Sequence, residues 1–258
     1  MDTYVEHNAK AWDGEVDKQT IWTDGCSEEQ IEKARNGELD MVLSPFKRVP
    51  SSWVTDITGK EVLALASGGG QQAVLLALAG AHVTLFDVSE KQLSTDRAYA
   101  ERLNLDMEFV RGDMRDLSCF CDASFSMIYN PTSTCFIDDV HHMYTHCYRI
   151  LEQGGRLLTS ITNPALYLFD EKKALKNKLK VKYTIPYSDL HSLSKQELEK
   201  RMQKKDTIEF SHTLEDLLGG LTDCGFHLTG IYSDTAGFMM IDSYIHDCYL
   251  AVRAEKCL

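Results

Sequence analysis

From residue 60 onward the chain alternates short aliphatic runs with helical ones, and this alternation restricts its fold more than any other feature. Strands are predicted at 61–67 (EVLALAS), 82–88 (HVTLFDV), 107–113 (MEFVRGD), 124–130 (SFSMIYN) and 156–162 (RLLTSIT). Helices are predicted between them. The one at 71–80 is apolar after its two opening glutamines and reads as buried. The one at 89–104 opens on Ser89 with Gln92 three residues later, a capping box. The last starts near 138, with Val140, Met143, Tyr144, Cys147, Ile150 and Leu151 on one face, and stops at Gly154 and Gly155. Strands and helices of these lengths specify an α/β fold with a parallel sheet covered on both faces.

Two parts fall outside the repeat. Residues 1–58 read as a helical N-terminal cap broken by Pro45 and Pro50, preceding an α/β core at 59–163. Residues 164–210 interrupt that core as an insertion, either a substrate lid or a dimerisation element. The core resumes over 211–258 with a helix at 211–226 and strands at 227–234 and 248–255. The link between those two strands is too short for a helical crossover, so an antiparallel pair is expected. A chain of 258 residues, 43% hydrophobic and 26% charged, suits one large globular domain with such elaborations.

The glycines after the first strand carry the functional signal. Ser67, Gly68, Gly69 and Gly70 lie between a strand and its helix, at the carboxyl edge where α/β sheets place ligands. Glycine there lets the backbone approach a ligand, and the helix N-terminus offers free N–H groups. Asp87 ends the second strand, 17 residues after Gly70, where an acid can accept both ribose hydroxyls of a nucleoside. Ser89 serves as the helix cap, which leaves Asp87 for that role. Gly68, Gly70 and Ala73 also satisfy the relaxed pattern of NAD-binding proteins, so NAD and S-adenosylmethionine (SAM) both fit this far. The third strand favours SAM, because it ends in Asp113 and Met114, a carboxylate and a backbone N–H suited to an adenine edge.

The glycine turn, the ribose acid, GDM at 112–114 and YRILEQGGRLL at 148–158 together resemble the class I SAM-dependent methyltransferases of the small-molecule, type 11 or UbiE-like group. The resemblance spans roughly residues 53–161. It implies a Rossmann-like seven-stranded sheet, mostly parallel with an antiparallel last strand and helices on both faces. It implies SAM as cofactor, with S-adenosylhomocysteine as product, held by Ser67, Gly68, Gly69, Gly70, Gln72, Asp87, Val88, Asp113, Met114 and Asn130. Within that set Asp87 would hold the ribose, Asp113 and Met114 the adenine, and Asn130 would lie by the methionine or methyl group. The chain departs from the group twice: Ala64 stands in place of an acid in the first strand, and Ala66 in place of the first glycine. The loop must then be held otherwise, with Gln71 or Gln72 as the expected holders.

Methyl transfer from a sulfonium needs alignment more than acid–base machinery, so no triad is expected and none is found. Tyr129 and Asn130 are the catalytic candidates, since Asn130-Pro131 matches half of the N-P-P-[YF] signature of amine methyltransferases. Tyr4, Trp12 and Trp22 could close over the cofactor, and Tyr167 and Phe169 could wall the acceptor. His142 and His146, four apart on a helix, lack a third ligand, and no metal site is assigned. The net charge of −12 argues against nucleic-acid partners, although residues 170–206 carry 11 Lys and Arg against 6 Asp and Glu. No apolar run reaches the roughly 18 residues of a membrane span. With no apparent leader and eight scattered cysteines read as thiols, a cytoplasmic monomer or homodimer is expected. The expected function is SAM-dependent methyl transfer to a small-molecule acceptor. The alternatives are an NAD-dependent oxidoreductase and a noncatalytic SAM-binding protein.

Overall fold

The computed structural model describes residues 3–237 and 240–257; Met1, Asp2, Phe238, Met239 and Leu258 lie outside the described residues. In chain order the strands are β1 Glu61–Leu65, β2 His82–Asp87, β3 Met107–Arg111, β4 Phe125–Asn130, β5 Leu151–Thr162, β6 Tyr187–Ser188, β7 Phe210–Ser211, β8 His227–Asp234 and β9 Tyr249–Glu255. Seven of them form one sheet in the order β3-β2-β1-β4-β5-β9-β8, while β6 and β7 pair separately. β1 to β5 are parallel. β9 runs antiparallel to β5, and β8 antiparallel to β9, as the short link between them requires.

The two-residue period of β1 divides the interior. Val62 and Ala64 join a core with Val83, Leu85, Met127 and Tyr129, whereas Leu63 and Leu65 join another with Phe86, Ile128 and Ile161. The helices α1 Thr3–Lys18, α2 Glu28–Arg35, α3 Gln72–Leu78 and α4 Glu90–Leu103 precede α5 Val140–Ile150. Residues of α2, α3 and α4 close the first core, and the buried stripe Val140, Met143, Tyr144, Cys147 and Ile150 of α5 closes the second.

α4 starts where the sequence predicts: the Ser89 hydroxyl accepts from the Gln92 N–H at 3.2 Å. Only that half of the capping box forms, because the Gln92 side chain lies over Gly68. The stop expected at Gly154 and Gly155 is displaced. α5 ends at Ile150, and Leu151 already pairs with Phe125 in the sheet. The two glycines lie inside β5, where Gly154 takes a φ of +78° and its N–H donates to the Lys256 carbonyl at 2.7 Å. The helix predicted at 211–226 is also shorter. β7 takes its first residues, a π-helical turn spans Glu215–Gly219, and α9 occupies Gly220–Asp223.

α1 crosses the carboxyl edge of the sheet and is pinned at two places. Asn8 exchanges hydrogen bonds with the backbone of Ile208, at 2.7 and 3.0 Å. Asp13 accepts from the Ser89 hydroxyl at 2.6 Å. The insertion holds three short helices, α6 Glu171–Ala174, α7 Asp189–Ser192 and α8 Lys195–Lys204. Its centre is Arg201, paired with Asp189 at 2.9 Å and Glu209 at 3.2 Å. Among the described residues no helix is long and apolar enough to cross a membrane.

Candidate functional site

A cavity of about 550 Å³ opens along the carboxyl edge of β1 to β4. Ser67 and Gly68 after β1, Asp87 at the end of β2 and Val88 after it, and Asp113 and Met114 after β3 form its floor, with Gln72 at the start of α3. Trp12 and Val5 of α1, residues 21–25, residues 42–46 and Pro131 to Ser133 rise around it. Seven of the residues named from the sequence are thus brought together in one wall.

The loop from Ala66 to Gly70 is built on left-handed backbone. Ala66 has φ +49°, Gly69 +112° and Gly70 +79°. Ala66 therefore performs the turn that a glycine makes without a side-chain clash. The expected role of Gln71 and Gln72 as loop holders is corrected by the structure. The Gln71 amide donates to the carbonyls of Ile21 and Asp24, and Gln72 leaves its Oε1 unpartnered. The loop is held by Asp96, one turn beyond Gln92 on α4. Its Oδ2 accepts from the Gly69 N–H at 2.7 Å and the Gly70 N–H at 2.9 Å. Asp96 is fully buried, and burial pushes its carboxyl up to about 7 against the pull of those two N–H groups. Gly69 and Gly70 do not line the cavity. The Cys26 N–H donates to the Gly70 carbonyl at 2.8 Å, and a Cβ on Gly70 would lie 2.8 Å from the Tyr99 ring.

Asp87 is buried, and its oxygens accept from the Gly68 N–H at 3.1 Å and the Ser89 N–H at 2.9 Å. Burial raises its carboxyl above the ordinary range, while these backbone donors oppose the rise. An ionised carboxylate has about four acceptor positions, and the backbone does not fill all of them. Asp113 is gripped by Arg115, whose Nη2 lies 2.7 Å from its Oδ2. Arg115 also pairs with Asp138 at 2.7 Å and stacks over the Tyr4 ring at 5.2 Å. Burial works to raise the Asp138 carboxyl, but the Tyr4 hydroxyl and Arg115 overcome it and hold it below its ordinary value.

Several residues singled out in the sequence stand elsewhere. Asn130 is fully buried. Its amide donates to the Leu65 carbonyl at 2.9 Å and the Ser133 hydroxyl at 2.7 Å, and its carbonyl accepts from Thr159 at 2.8 Å. Tyr129 is equally buried, its hydroxyl donating to the Val42 carbonyl at 2.9 Å. Both tie strand ends and loops together, and neither lines the cavity. Of the N-terminal aromatics, Trp12 and Trp22 line it, while Tyr4 packs on Phe210 with ring centroids 5.1 Å apart. No residue of 164–210 contributes a wall. Tyr167 donates to Glu209 at 2.9 Å, and Phe169 packs with Ile241 and Cys248. The sequence signal for Asp96 lay in its helical spacing: Gln92, Asp96 and Ala100 are four apart on the inward face of α4.

A family model for a methyltransferase domain matches residues 63–159. Over 256 residues the chain is 43% identical to the uncharacterized methyltransferase YbaJ of Bacillus subtilis (strain 168), covering 99% of its own length and 100% of that protein's. The chain belongs to the class I SAM-dependent methyltransferases. Solved structures share the fold of this methyltransferase. A SAM-dependent methyltransferase from Mesorhizobium loti superposes with a TM-score of 0.57 at 18% identity, over 79% of this chain and 94% of that one. The geranyl diphosphate C-methyltransferase of Streptomyces coelicolor A3(2) gives 0.58 at 16%, over 99% of each chain. The methyltransferase uses SAM, which sets aside the NAD-dependent alternative. Its cavity fits that cofactor. The Ser67 hydroxyl and the Gln72 carbonyl are buried polar atoms without a partner. A Cβ on Gly68 would come within 2.8 Å of the Gln92 Cβ and 3.2 Å of the Asp87 carboxylate, so glycine lets these two side chains lie against the loop that floors the cavity.

Proposed function

We propose that this methyltransferase transfers the methyl group to a neutral or cationic small molecule with an apolar body, by in-line displacement. Bound SAM supplies an activated sulfonium methyl. In this reading Ser67, Gly68 and Gln72 hold its amino-acid part, Asp87 its ribose, and Val88, Asp113 and Met114 its adenine. Trp12, Phe46, Pro131 and Phe136 then surround the space for the acceptor. Positioning of this kind can supply about 7–11 kcal/mol of barrier reduction.

The observation that carries the acceptor class is the charge of the lining. Beyond Asp87 and Asp113, which the cofactor takes, it includes Asp24 and the Arg48-paired Asp40, and among the described lining residues no Lys, Arg or His. A phosphorylated or carboxylated acceptor would enter without a cationic partner and lose its hydration uncompensated. The same lining offers no histidine as a general base, which favours a nucleophile that attacks without first losing a proton to the protein, such as an amine bound in its unprotonated form.

The test is calorimetric titration with S-adenosylhomocysteine and NADH, followed by an acceptor screen that reads S-adenosylhomocysteine release. Turnover is expected with apolar amines and not with phosphate esters. Phosphate esters as the preferred acceptors, or a protein that binds SAM and turns over no acceptor of any class, would contradict the reading.

A further inference from the structure

Asp96 raises a question that the cofactor site leaves open. The acid of the first strand is missing, since Ala64 stands there, and the loop glycines still find a carboxylate. It reaches them from α4, through Oδ2 at 2.7 and 2.9 Å from two successive N–H groups. Its other oxygen, Oδ1, is buried with no hydrogen-bond partner. A carboxylate that engages two loop amides with one oxygen, and wastes the other, is placed for the loop rather than for packing.

We propose that Asp96 is the positioning residue of the cofactor loop, and that its ionised form sets the affinity for the cofactor. The proposal rests on the placement of SAM over Gly68. Two N–H groups donated to an anion are held more firmly than two donated to a neutral oxygen. With Gly69 and Gly70 fixed in their left-handed conformations, the backbone of Gly68 and the Ser67 hydroxyl are presented to the cavity in one arrangement. When Asp96 takes a proton, that grip weakens. Burial places the change close to neutrality. The titratable groups facing Asp96 are Asp87 on β2, which adds like charge, the Cys26 thiol ahead of α2, and the Tyr99 hydroxyl on α4 itself. Asp87 also faces the ligand, so the experiment must separate the two aspartates.

The experiment measures the dissociation constant of S-adenosylhomocysteine for the full-length wild type and for Asp96→Asn, by calorimetry from pH 5.5 to 8.5. At pH 8 the variant is expected to bind about tenfold more weakly or worse. The ratio of the two constants should fall toward one below pH 6.5, where the wild type is itself neutral at this position. Asp87 titrates in both proteins, shifted in the variant by loss of the Asp96 charge, and its own titration is read separately from the Gly68 amide that donates to it. Equal affinities at pH 8, or a ratio that stays constant across the range, would overturn the proposal. A wild type that binds no S-adenosylhomocysteine at any pH would instead remove the cofactor placement, and the proposal with it. A second measurement needs no variant. In wild-type protein the amide resonances of Gly69 and Gly70 should move together with a midpoint close to 7, and resonances that stay still through that range would refute the assignment.

Discussion

Replacing Asp96 by asparagine should make the ligand-free protein more stable while weakening its hold on the cofactor. The rise of its carboxyl from 3.8 to about 7 corresponds to roughly 4 kcal/mol of disfavoured charge in the folded state. Because the folded value is raised, the associated stability is fully present below pH 3.8 and is lost as pH rises through about 7. Asp96 is fully buried, so little of this is screened by solvent. Asparagine removes the charge but puts an amide N–H where Oδ1 now lies without a partner, at a cost of about 1–3 kcal/mol. The net expectation is a gain of about 2 kcal/mol at pH 7.5, and a loss of about 1–2 kcal/mol at pH 4, where the charge cost is nearly absent and the amide cost remains. Urea unfolding of the ligand-free wild type and variant, followed by tryptophan fluorescence at both pH values, measures it. A variant less stable than wild type at pH 7.5, or a difference that is the same at the two pH values, would refute the reasoning.

Asp87→Ala should weaken S-adenosylhomocysteine binding by about 1.5–3 kcal/mol for each charge-assisted hydrogen bond removed; an unchanged dissociation constant in a folded variant would move the ribose elsewhere. Ala66→Gly relieves a left-handed φ of +49° and should raise stability by up to about 1 kcal/mol, whereas an alanine in ordinary strand backbone would lose that much. Asn130→Ala strips partners from the Leu65 carbonyl, Ser133 and Thr159. It should cost about 2–3 kcal/mol of stability, and a loss of activity with stability intact would return Asn130 to the catalytic list.

The sheet was readable because each of its parallel strands carries its own pattern and its own boundary. β1 is a two-sided aliphatic run that ends in glycine, and α4 has its cap at Ser89. The floor of the cavity was readable for the same reason: Ser67, Gly68, Asp87, Asp113 and Met114 all stand at or within three residues of a strand's carboxyl end. Gly154 misled because a glycine that ends a helix and a glycine that bends a strand share one signature, a positive φ, and only the pairing of Leu151 with Phe125 tells them apart. Asn130 misled because a polar residue at a strand end serves a ligand or the fold equally well. Here its three hydrogen bonds join β1, β4 and β5. Asp96 was passed over because helices carry many acids, and its burial comes from the Gly69–Gly70 loop, Asp87 and Cys26 lying against α4, at a distance along the chain that no local pattern records. The insertion was read from its position alone as a lid or a dimerisation element; its Arg201 cluster draws Tyr167 inward to Glu209 and away from the cavity wall expected of it.

Ala64 has neighbours that make its small size matter. In the sheet it lies between Leu85 on β2 and Tyr129 on β4, and all three belong to one core. Tyr129 extends from that row to hold the Val42 carbonyl, and so anchors the segment at 42–46 that walls the cavity. A longer, charged side chain at 64 would compete with this tyrosine for volume and would bring a second carboxylate toward the loop that Asp96 already serves. Positions 64, 96 and 129 are therefore expected to change together. Among relatives of this chain, an acid at the place of Ala64 should occur together with the loss of the aspartate on the helix and a smaller residue at the place of the tyrosine, with the three changes inherited as a block.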